Sequence, residues 1–566
     1  MLKKTLLFFF IFSSFTFLGQ TSKISGKIVD ELTGLGIPFA TVQIKGSEKG
    51  TTSSLDGEFY IEAEKNQVLL IRMVGYISQE LLVGDDMINF KILLKNETLK
   101  EMVVVGYGSQ ESEDVTGSIV KVDAKQISQT AVAGAAGALQ GRAAGVEVVN
   151  TNGQPGPNAD VRIRGLGSIN GAPVLYVVDG MPLDGAAVNA VAPQDIASID
   201  ILKDASAAAI YGARAAGGVI LITTKRGKKG KPKVTFDTYY GFQSLIKKMD
   251  VMNARQYATA FNYDDSINGN IPDSDFSNPD SLGKGTDWQD LLFPGGAIFN
   301  AHVNISGGSE KTTYAMSLDY FDEKGVVPET FWKRFSFRNN LDFELSKHIK
   351  IGTSLGITRD GGKGVSMNSD RPENNMMLAA IALDPTISPV RPYATIPDTL
   401  TLVPEDHEFY SSSDSLAWMN TPRGNTGNPL AQLYRNKTKY GMTWYDKILT
   451  NNYIQFKPLE WLTLKSIIGC DYSVANGWSY SPIYFIDAND KNDIDGISHN
   501  YNQWFSLNWE NTIEINKTFG KQHFSLLGGT TAFDWKSKNF GFYKNYLGGS
   551  INNEVPQNML LSGTGQ

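Results

Sequence analysis

Segments of roughly ten residues that alternate between apolar and polar side chains constrain this chain more than any other feature. In residues 335–345, Phe335, Phe337, Leu341, Phe343 and Leu345 share one face of an extended strand, and Ser336, Arg338, Asn340, Asp342 and Glu344 share the other. Residues 505–515 repeat this, with Phe505, Leu507, Trp509, Ile513 and Ile515 against Ser506, Asn508, Glu510, Thr512 and Glu514. A period of two is a strand period, because successive side chains leave opposite faces of the pleat. A soluble sandwich turns its polar face to bulk water, whereas a membrane barrel turns its apolar face to lipid. Aromatic rings at strand ends favour the barrel. After the first twenty residues no run of 18 apolar residues occurs, so no spanning helix is expected.

Connections between these segments alternate in length. Residues 307–311, 346–349 and 457–460 are tight, whereas 250–297, 362–437 and 476–500 are long and polar. Short turns on one side and long loops on the other are the barrel rule. Nine candidate strands follow, near 233–246, 298–308, 312–322, 333–345, 349–360, 439–456, 461–475, 501–515 and 521–536.

Residues 1–20 read as a secretion signal: Lys3 and Lys4 precede an apolar run from Thr5 to Leu18, too short for an anchor helix. Residues 21–96 read as a small β-sandwich, with short alternating strands at 24–30, 40–46, 57–61 and 68–73 between turns at Gly34, Gly46, Asp56-Gly57 and Gly75. In the linker 97–114, Glu101-Met102-Val103-Val104-Val105-Gly106-Tyr107 is an extended β-branched run. With backbone groups unpaired on both edges it can add as a strand to a partner's sheet, or it can be a buried strand of its neighbour.

Residues 160–170 place Val161 and Ile163 opposite Arg162 and Arg164, then turn at Gly165 and Gly167 with Ser168 following. Residues 174–178 are a buried strand closed by Asp179-Gly180 and Pro182. Residues 139–146 and 153–156 lie upstream of this stretch or just before it, and 201–206, 210–214 and 217–224 lie downstream. In this order, residues 115–225 resemble the plug domain of SusC/RagA-type TonB-linked outer-membrane transporters. The sandwich is similar to the carboxypeptidase-regulatory-like domain that precedes many such plugs. The 101–107 segment, directly ahead of the plug, then looks like a TonB box.

The resemblance implies a mainly β protein: an N-terminal β-sandwich, an α/β plug domain over 115–230, and an incomplete antiparallel transmembrane β-barrel over 231–566. Helices are expected within the plug near 124–139 and 205–211. A plugged barrel needs 22 strands, so nine are expected to form an open sheet around the plug, and the chain to be the N-terminal part of a longer, truncated or partial protein. The implied activity is import of a large nutrient across a Gram-negative outer membrane. TonB would drive it with ExbB and ExbD, and a SusD-like surface lipoprotein would assist. The sandwich and TonB box would lie in the periplasm, and the cargo would be an oligosaccharide. A peptide importer of the same family and a non-energised surface binding protein are the alternatives. No catalytic residues are implied.

Other chemistry finds little support. A net charge of -7 gives no reason to expect nucleic acid. Residues 165–170 lack the third glycine of a dinucleotide loop, with Asn170 in its place. His302, His348, His407, His499 and His523 have no ligand spacing and read as surface or interface residues. Residues 487–496 are acidic, but an EF-hand register fails at Lys491 and Asn502, so a solvated loop is expected rather than a calcium site. Cys470, the single cysteine, shares parity with Leu464, Ile468 and Tyr472 and is expected on the apolar face of a strand. No cofactor or metal is expected. Arginines of the plug, Arg162 and Arg164 among them, are expected to pair with wall carboxylates such as Asp342, Glu344 or Glu510.

Overall fold

The structure, a computed structural model, describes residues 21–94, 102–105, 108–111, 119–150, 153–165, 173–365, 367, 375–392, 416–418, 428–430, 433, 441–481, 484–485, 491–492, 496–545 and 564–565, less positions 32, 75, 85–87, 184, 205–207 and 521. The chain divides into two compact units, Met1–Met102 and Val103–Gln566.

In the first unit the four expected strands form, and three more join them. They are β1 (Thr21–Asp30), β2 (Thr41–Ile44), β3 (Gly50–Thr52), β4 (Glu58–Glu64), β5 (Val68–Arg72), β6 (Gln79–Leu82) and β7 (Ile88–Leu94). They make two sheets, ordered β4-β1-β7 and β3-β2-β5-β6. Alternation decides what each strand buries: Phe59, Ile61 and Ala63 of β4 point inward while Glu58, Tyr60, Glu62 and Glu64 face out. Ile24, Ile28, Val42, Leu69 and Ile71 complete the core between the sheets. The Asp56-Gly57 turn requires glycine. Gly57 has φ 82°, and a Cβ there would sit 2.3 Å from the Ile28 carbonyl oxygen.

The second unit begins with a two-stranded ribbon, β8 (Met102–Val105) and β9 (Gly108–Glu111). The plug follows. Its strands are β10 (Ile119–Asp123), β11 (Val146–Asn150), β12 (Ala159–Ile163), β13 (Leu175–Val178), β14 (Met181–Leu183), β15 (Ile196–Leu202) and β16 (Val219–Thr224). Five of them form one mixed sheet, ordered β10-β15-β16-β13-β14, in which β13 and β16 run parallel, and β11 pairs with β12 separately. The first expected plug helix is shorter than the sequence suggested, and the second is shifted along the chain and is 3-10 rather than α. Helix α1 spans only Ala124–Ser128, and a 3-10 turn at Gly137–Leu139 stands apart from it. Thr130, Val132, Gly134 and Gly137 all have weak helix propensity, so nothing carries the helix across the interval. The second is a 3-10 segment, Ala209–Ala215, broken at Gly212 by φ 63° and ψ −151°; residues 205–207 lie outside the described residues.

Nine long strands then form one antiparallel sheet in chain order: β17 (Gly230–Gln243), β18 (Gly296–Gly308), β19 (Thr312–Lys324), β20 (Phe331–Glu344), β21 (Ile349–Lys363), β22 (Gly441–Leu459), β23 (Leu462–Ser481), β24 (Gly496–Phe519) and β25 (Gln522–Asn545). The two-residue strand Thr564–Gly565 adds to β25. Strands β17 and β25 do not pair with each other, so among the described residues the sheet is open. The expected strand near each position is present, but several run longer. Strands β24 and β25 have 24 residues each, about twice what crosses a bilayer. Residues 476–481 and 496–500, expected in a long loop, are therefore strand. Asn476 and Asn500 are exposed there, so these polar residues keep their water contact and do not end the ladder. The long connection 244–295 carries helix α2 (Ala254–Asn268), started by the reciprocal Asn253–Gln256 cap and stopped at left-handed Gly269.

The sheet is inside-out relative to a soluble sandwich. Along β20, Arg334, Ser336, Arg338, Asn340 and Asp342 are buried while Phe335 is 54% exposed. Along β24, Asn508 and Glu510 are buried while Leu507, Trp509 and Ile513 are exposed. Cys470 stands on the same outward parity of β23 as Leu464 and Ile468. Bulk water does not tolerate a broad exposed apolar face, whereas lipid requires one.

Candidate functional site

The polar face of the sheet closes around the plug, and the buried groups between them form the site. Its hub is Asp179. Asp179 and Gly180 have φ of 50° and 93°, the two left-handed residues of a tight hairpin turn between β13 and β14. The turn sets the Asp179 carboxylate beside the end of β16. There it accepts hydrogen bonds from the Thr224 amide (3.0 Å) and hydroxyl (2.7 Å), and from Ser354 of the wall (3.3 Å). Asn451 of β22 donates to the Asp179 carbonyl.

A second plug acid, Asp195, closes a 3-10 turn begun by Pro193. His302 of β18, with no exposed side-chain surface, meets Asp195 at 2.9 Å. Arg338 of β20 lies between the two acids, 3.7 Å from Asp179 and 3.9 Å from Asp195. Burial acts to raise the Asp195 carboxyl, but the His302 hydrogen bond and the Arg338 charge outweigh it and hold it below the ordinary carboxylate range. A pair of opposite polarity lies close by: plug Arg226 donates to wall Asp342 at 3.0 Å, and Tyr453 donates to the same oxygen at 2.6 Å. Burial works against the Arg226 charge, yet Asp179 and Asp342 together push the guanidinium pKa up.

Further clamps surround this layer. Asn340 donates to Thr224 Oγ1 and to the Lys225 carbonyl. Fully buried Arg334 pairs with Asp319 at 3.0 Å and also donates to the Ala133 carbonyl of the plug. Thr358 donates to the Ala190 carbonyl, and the Gly156 amide to Glu323. These contacts make no covalent chemistry. The neutral hydrogen bonds are worth only about 0.5–1.5 kcal/mol net each, because water can replace either partner, and those to charged groups about 1.5–3 kcal/mol. Such an interface holds the plug firmly by number, yet can be exchanged for solvent one contact at a time.

The expected site residues fall in different places. Asp179 and Gly180 stand at the centre of the layer. Arg162 pairs within its own strand with Asp160 (3.0 Å), and Arg164, at φ 59°, pairs with Asp204 of the plug. The expectation that these two reach wall carboxylates is therefore corrected: each has a nearer acid on the plug itself. Asp342 is met by Arg226 instead, and the main wall-to-plug cation, Arg338, runs the other way. Gly165 takes a positive φ of 83°, while Gly167 and Ser168 lie outside the described residues. Met102–Val105 is a strand, as expected, but β9 occupies one of its edges, and among the described residues no strand pairs with the other. Glu101, Gly106 and Tyr107 lie outside the described residues, as does most of the acidic 487–496 stretch. Sequence reasoning missed Asp195 and Arg226, and read His302 only as a surface or interface residue without its partner. His302 shares parity with Asn300 and Asn304 on a wall strand, and that pattern was the available signal.

Plug loops and the wall also line a partly open cavity of about 700 Å³. Arg214, Lys363 and Lys447 contribute cations to its lining, Asp360 and Asp471 acids, and Tyr445, Trp504 and Trp535 aromatic rings.

Comparison with known proteins agrees with this architecture. Residues 111–219 match the TonB-dependent Receptor Plug Domain and residues 24–105 the CarboxypepD_reg-like domain. The chain is 34% identical over 520 residues to TonB-dependent receptor P26 of Formosa agariphila, covering 90% of this chain and 48% of that protein. It is 30% identical over 541 residues to TonB-dependent receptor SusC of Bacteroides thetaiotaomicron, covering 92% and 51%. The solved RagAB peptide transporter superposes with a TM-score of 0.67 at 22% identity over 80% of this chain and 51% of that one. The chain thus spans about half the length of the curated relatives it matches. With an inside-out strand wall, a plug clamped on its polar face and a carboxypeptidase-regulatory-like sandwich ahead of both, the chain belongs to the SusC/RagA type of TonB-dependent receptors.

Proposed function

We propose that the protein takes up a large nutrient, an oligosaccharide, across a Gram-negative outer membrane by TonB-driven displacement of its plug. The observation that carries this reading is the buried polar layer in which Asp179 and Asp195 of the plug face Arg338 and His302 of the wall. A permanent stopper would be sealed more simply by apolar packing. In this reading residues 1–20 are the export signal, 21–96 a periplasmic sandwich, 97–114 the coupling linker, 115–230 the plug and 231–566 barrel wall. TonB, energised through ExbB and ExbD, adds a strand to the open edge of Met102–Val105 and pulls. A SusD-like lipoprotein presents cargo from outside. The aromatic rings of Tyr445, Trp504 and Trp535 in the cavity lining suit the apolar C–H patches of sugars, with Arg214, Lys363 and Lys447 supplying polar partners.

The test is Val104→Pro, which removes a backbone donor from the coupling strand. Uptake of labelled oligosaccharide by cells should fall to background while ligand binding at the cell surface persists. Uptake that survives the substitution would refute the energised reading. Uptake of labelled oligopeptides in place of saccharides would move the cargo to the peptide class.

A further inference from the structure

Exposed apolar residues of the sandwich of residues 21–94 gather mainly at one end, with Tyr60, Leu82 and Leu93 exposed elsewhere. The outer face of sheet β4-β1-β7 is a mixed-charge ladder, with Lys23 opposite Glu62 and Lys27 opposite Glu58. One end of the sandwich is different. There β1 ends at Asp30, β5 ends at Arg72, and β7 delivers the chain out of the domain at Leu94. The loops 31–40, 53–57 and 73–78 converge on this end. Phe39 N–H donates to the Ser53 carbonyl, Tyr76 donates to Asp30 Oδ2, and Glu31 N–H donates to the Leu94 carbonyl. These loops hold Leu35, Phe39, Leu55, Val74 and Ile77 out in solvent, between 53% and 94% exposed. Phe39 is kept outward at φ 59°, a left-handed backbone that phenylalanine rarely adopts. Exposed acids Glu31, Asp56 and Glu58 rim this crown.

The chain leaving the crown bears on what covers it. Eight residue steps join Leu94 to Met102, and a fully extended chain spans at most ~3.6 Å per residue. Met102 therefore stays within roughly 30 Å of Leu94, about the width of a small domain, so one partner can reach both the strand and the crown. We propose that the crown is a second docking surface for the periplasmic protein that adds its sheet to Met102–Val105. That partner presents an apolar face rimmed by Lys and Arg beside its free strand edge, so that one protein is held at two points. The gain follows from effective concentration: once the strand is engaged, the crown contact is intramolecular and needs little intrinsic affinity. The inference rests on the TonB-driven reading above.

The test uses the full chain in detergent and the purified periplasmic domain of the host's TonB, with affinity measured by biolayer interferometry. The crown variant is Leu35→Gln/Phe39→Asn/Leu55→Gln; asparagine suits a left-handed backbone, so the fold is spared. The comparison variants are Val104→Pro and Leu82→Gln, the latter at the opposite end of the sandwich. The crown variant is expected to bind TonB at least tenfold more weakly and Leu82→Gln within twofold of the parent. A photo-crosslinking side chain at Leu55 is expected to capture TonB. Loss of binding in Val104→Pro with full binding in the crown variant would overturn the crown and leave the TonB reading standing. Binding unaffected by Val104→Pro would count against that reading itself. Capture of a second copy of this chain from Leu55 would overturn the proposed occupant. A crown variant whose thermal transition is lost is replaced by the single substitution Leu55→Gln, for which threefold weaker binding is expected and unchanged binding refutes the proposal.

Discussion

Replacing Arg338 by methionine should loosen the plug by roughly two orders of magnitude. Methionine keeps most of the stem volume and removes the charge. The Arg338 side chain is 6% exposed, and the acids it separates, Asp179 and Asp195, are 3% and 4% exposed. Taking one partner from a buried charge cluster costs about 3–5 kcal/mol, because the remaining charge is left without compensation. Two features place this case at the low end. The separations of 3.7 Å and 3.9 Å exceed hydrogen-bond length, and each acid keeps another partner, Thr224 for Asp179 and His302 for Asp195. A loss of about 3 kcal/mol is a factor of about 150 in the equilibrium between seated and displaced plug. Hydrogen exchange of Val219–Thr224 in the detergent-solubilised protein reads that equilibrium, since β16 is the strand that Asp179 holds at its end. The triple variant Arg338→Met/Asp179→Asn/Asp195→Asn buries no unpaired charge from this cluster and should recover most of the protection. Exchange in Arg338→Met within about threefold of the parent, or a triple variant no better than the single, would refute the electrostatic account.

Acid should weaken the same seat in a defined direction. The folded Asp195 carboxyl is held below its ordinary value, so its contribution is full above the unfolded carboxylate pKa of about 4 and is lost as pH falls through the depressed folded value. Stability of β16 should therefore stay level on going from pH 8 to pH 6 as far as Asp195 is concerned, and fall below about pH 4; Asp195→Asn should remove that acid-side component from the exchange profile. Gly156→Ala should destabilise the plug loop by about 1–3 kcal/mol, because Gly156 has φ 102° and an added Cβ would lie 2.9 Å from the Trp332 ring. Exchange of residues 153–158 measures it. Leu69→Ala in the fully buried sandwich core should cost about 2–5 kcal/mol and lower a calorimetric transition of the first unit, with β16 protection unchanged if the two compact units unfold independently.

Strand identity and facing were legible in the sequence because both are local. A two-residue period assigns every side chain of 335–345 and 505–515 to one face or the other, and the lack of an apolar helix leaves strands as the spanning element. The turn at Asp179-Gly180 was legible for the same reason, since only a few residue types accept two left-handed positions in succession. Helix lengths were not, because a run such as 124–139 ends where weak propensities at Thr130, Gly134 and Gly137 meet packing against Pro157, and that packing is remote in sequence. The charged layer was still less legible. Asp195, His302 and Arg338 are successively 107 and 36 residues apart along the chain, and nothing in their spacing pairs them. Only the closure of the wall's polar face on the plug brings them within 4 Å and removes the water that would otherwise screen them. The sequence alone determined which face of each strand is polar; the tertiary structure decided which acid each buried cation meets, because desolvation and long-range contact arise only once the two surfaces close.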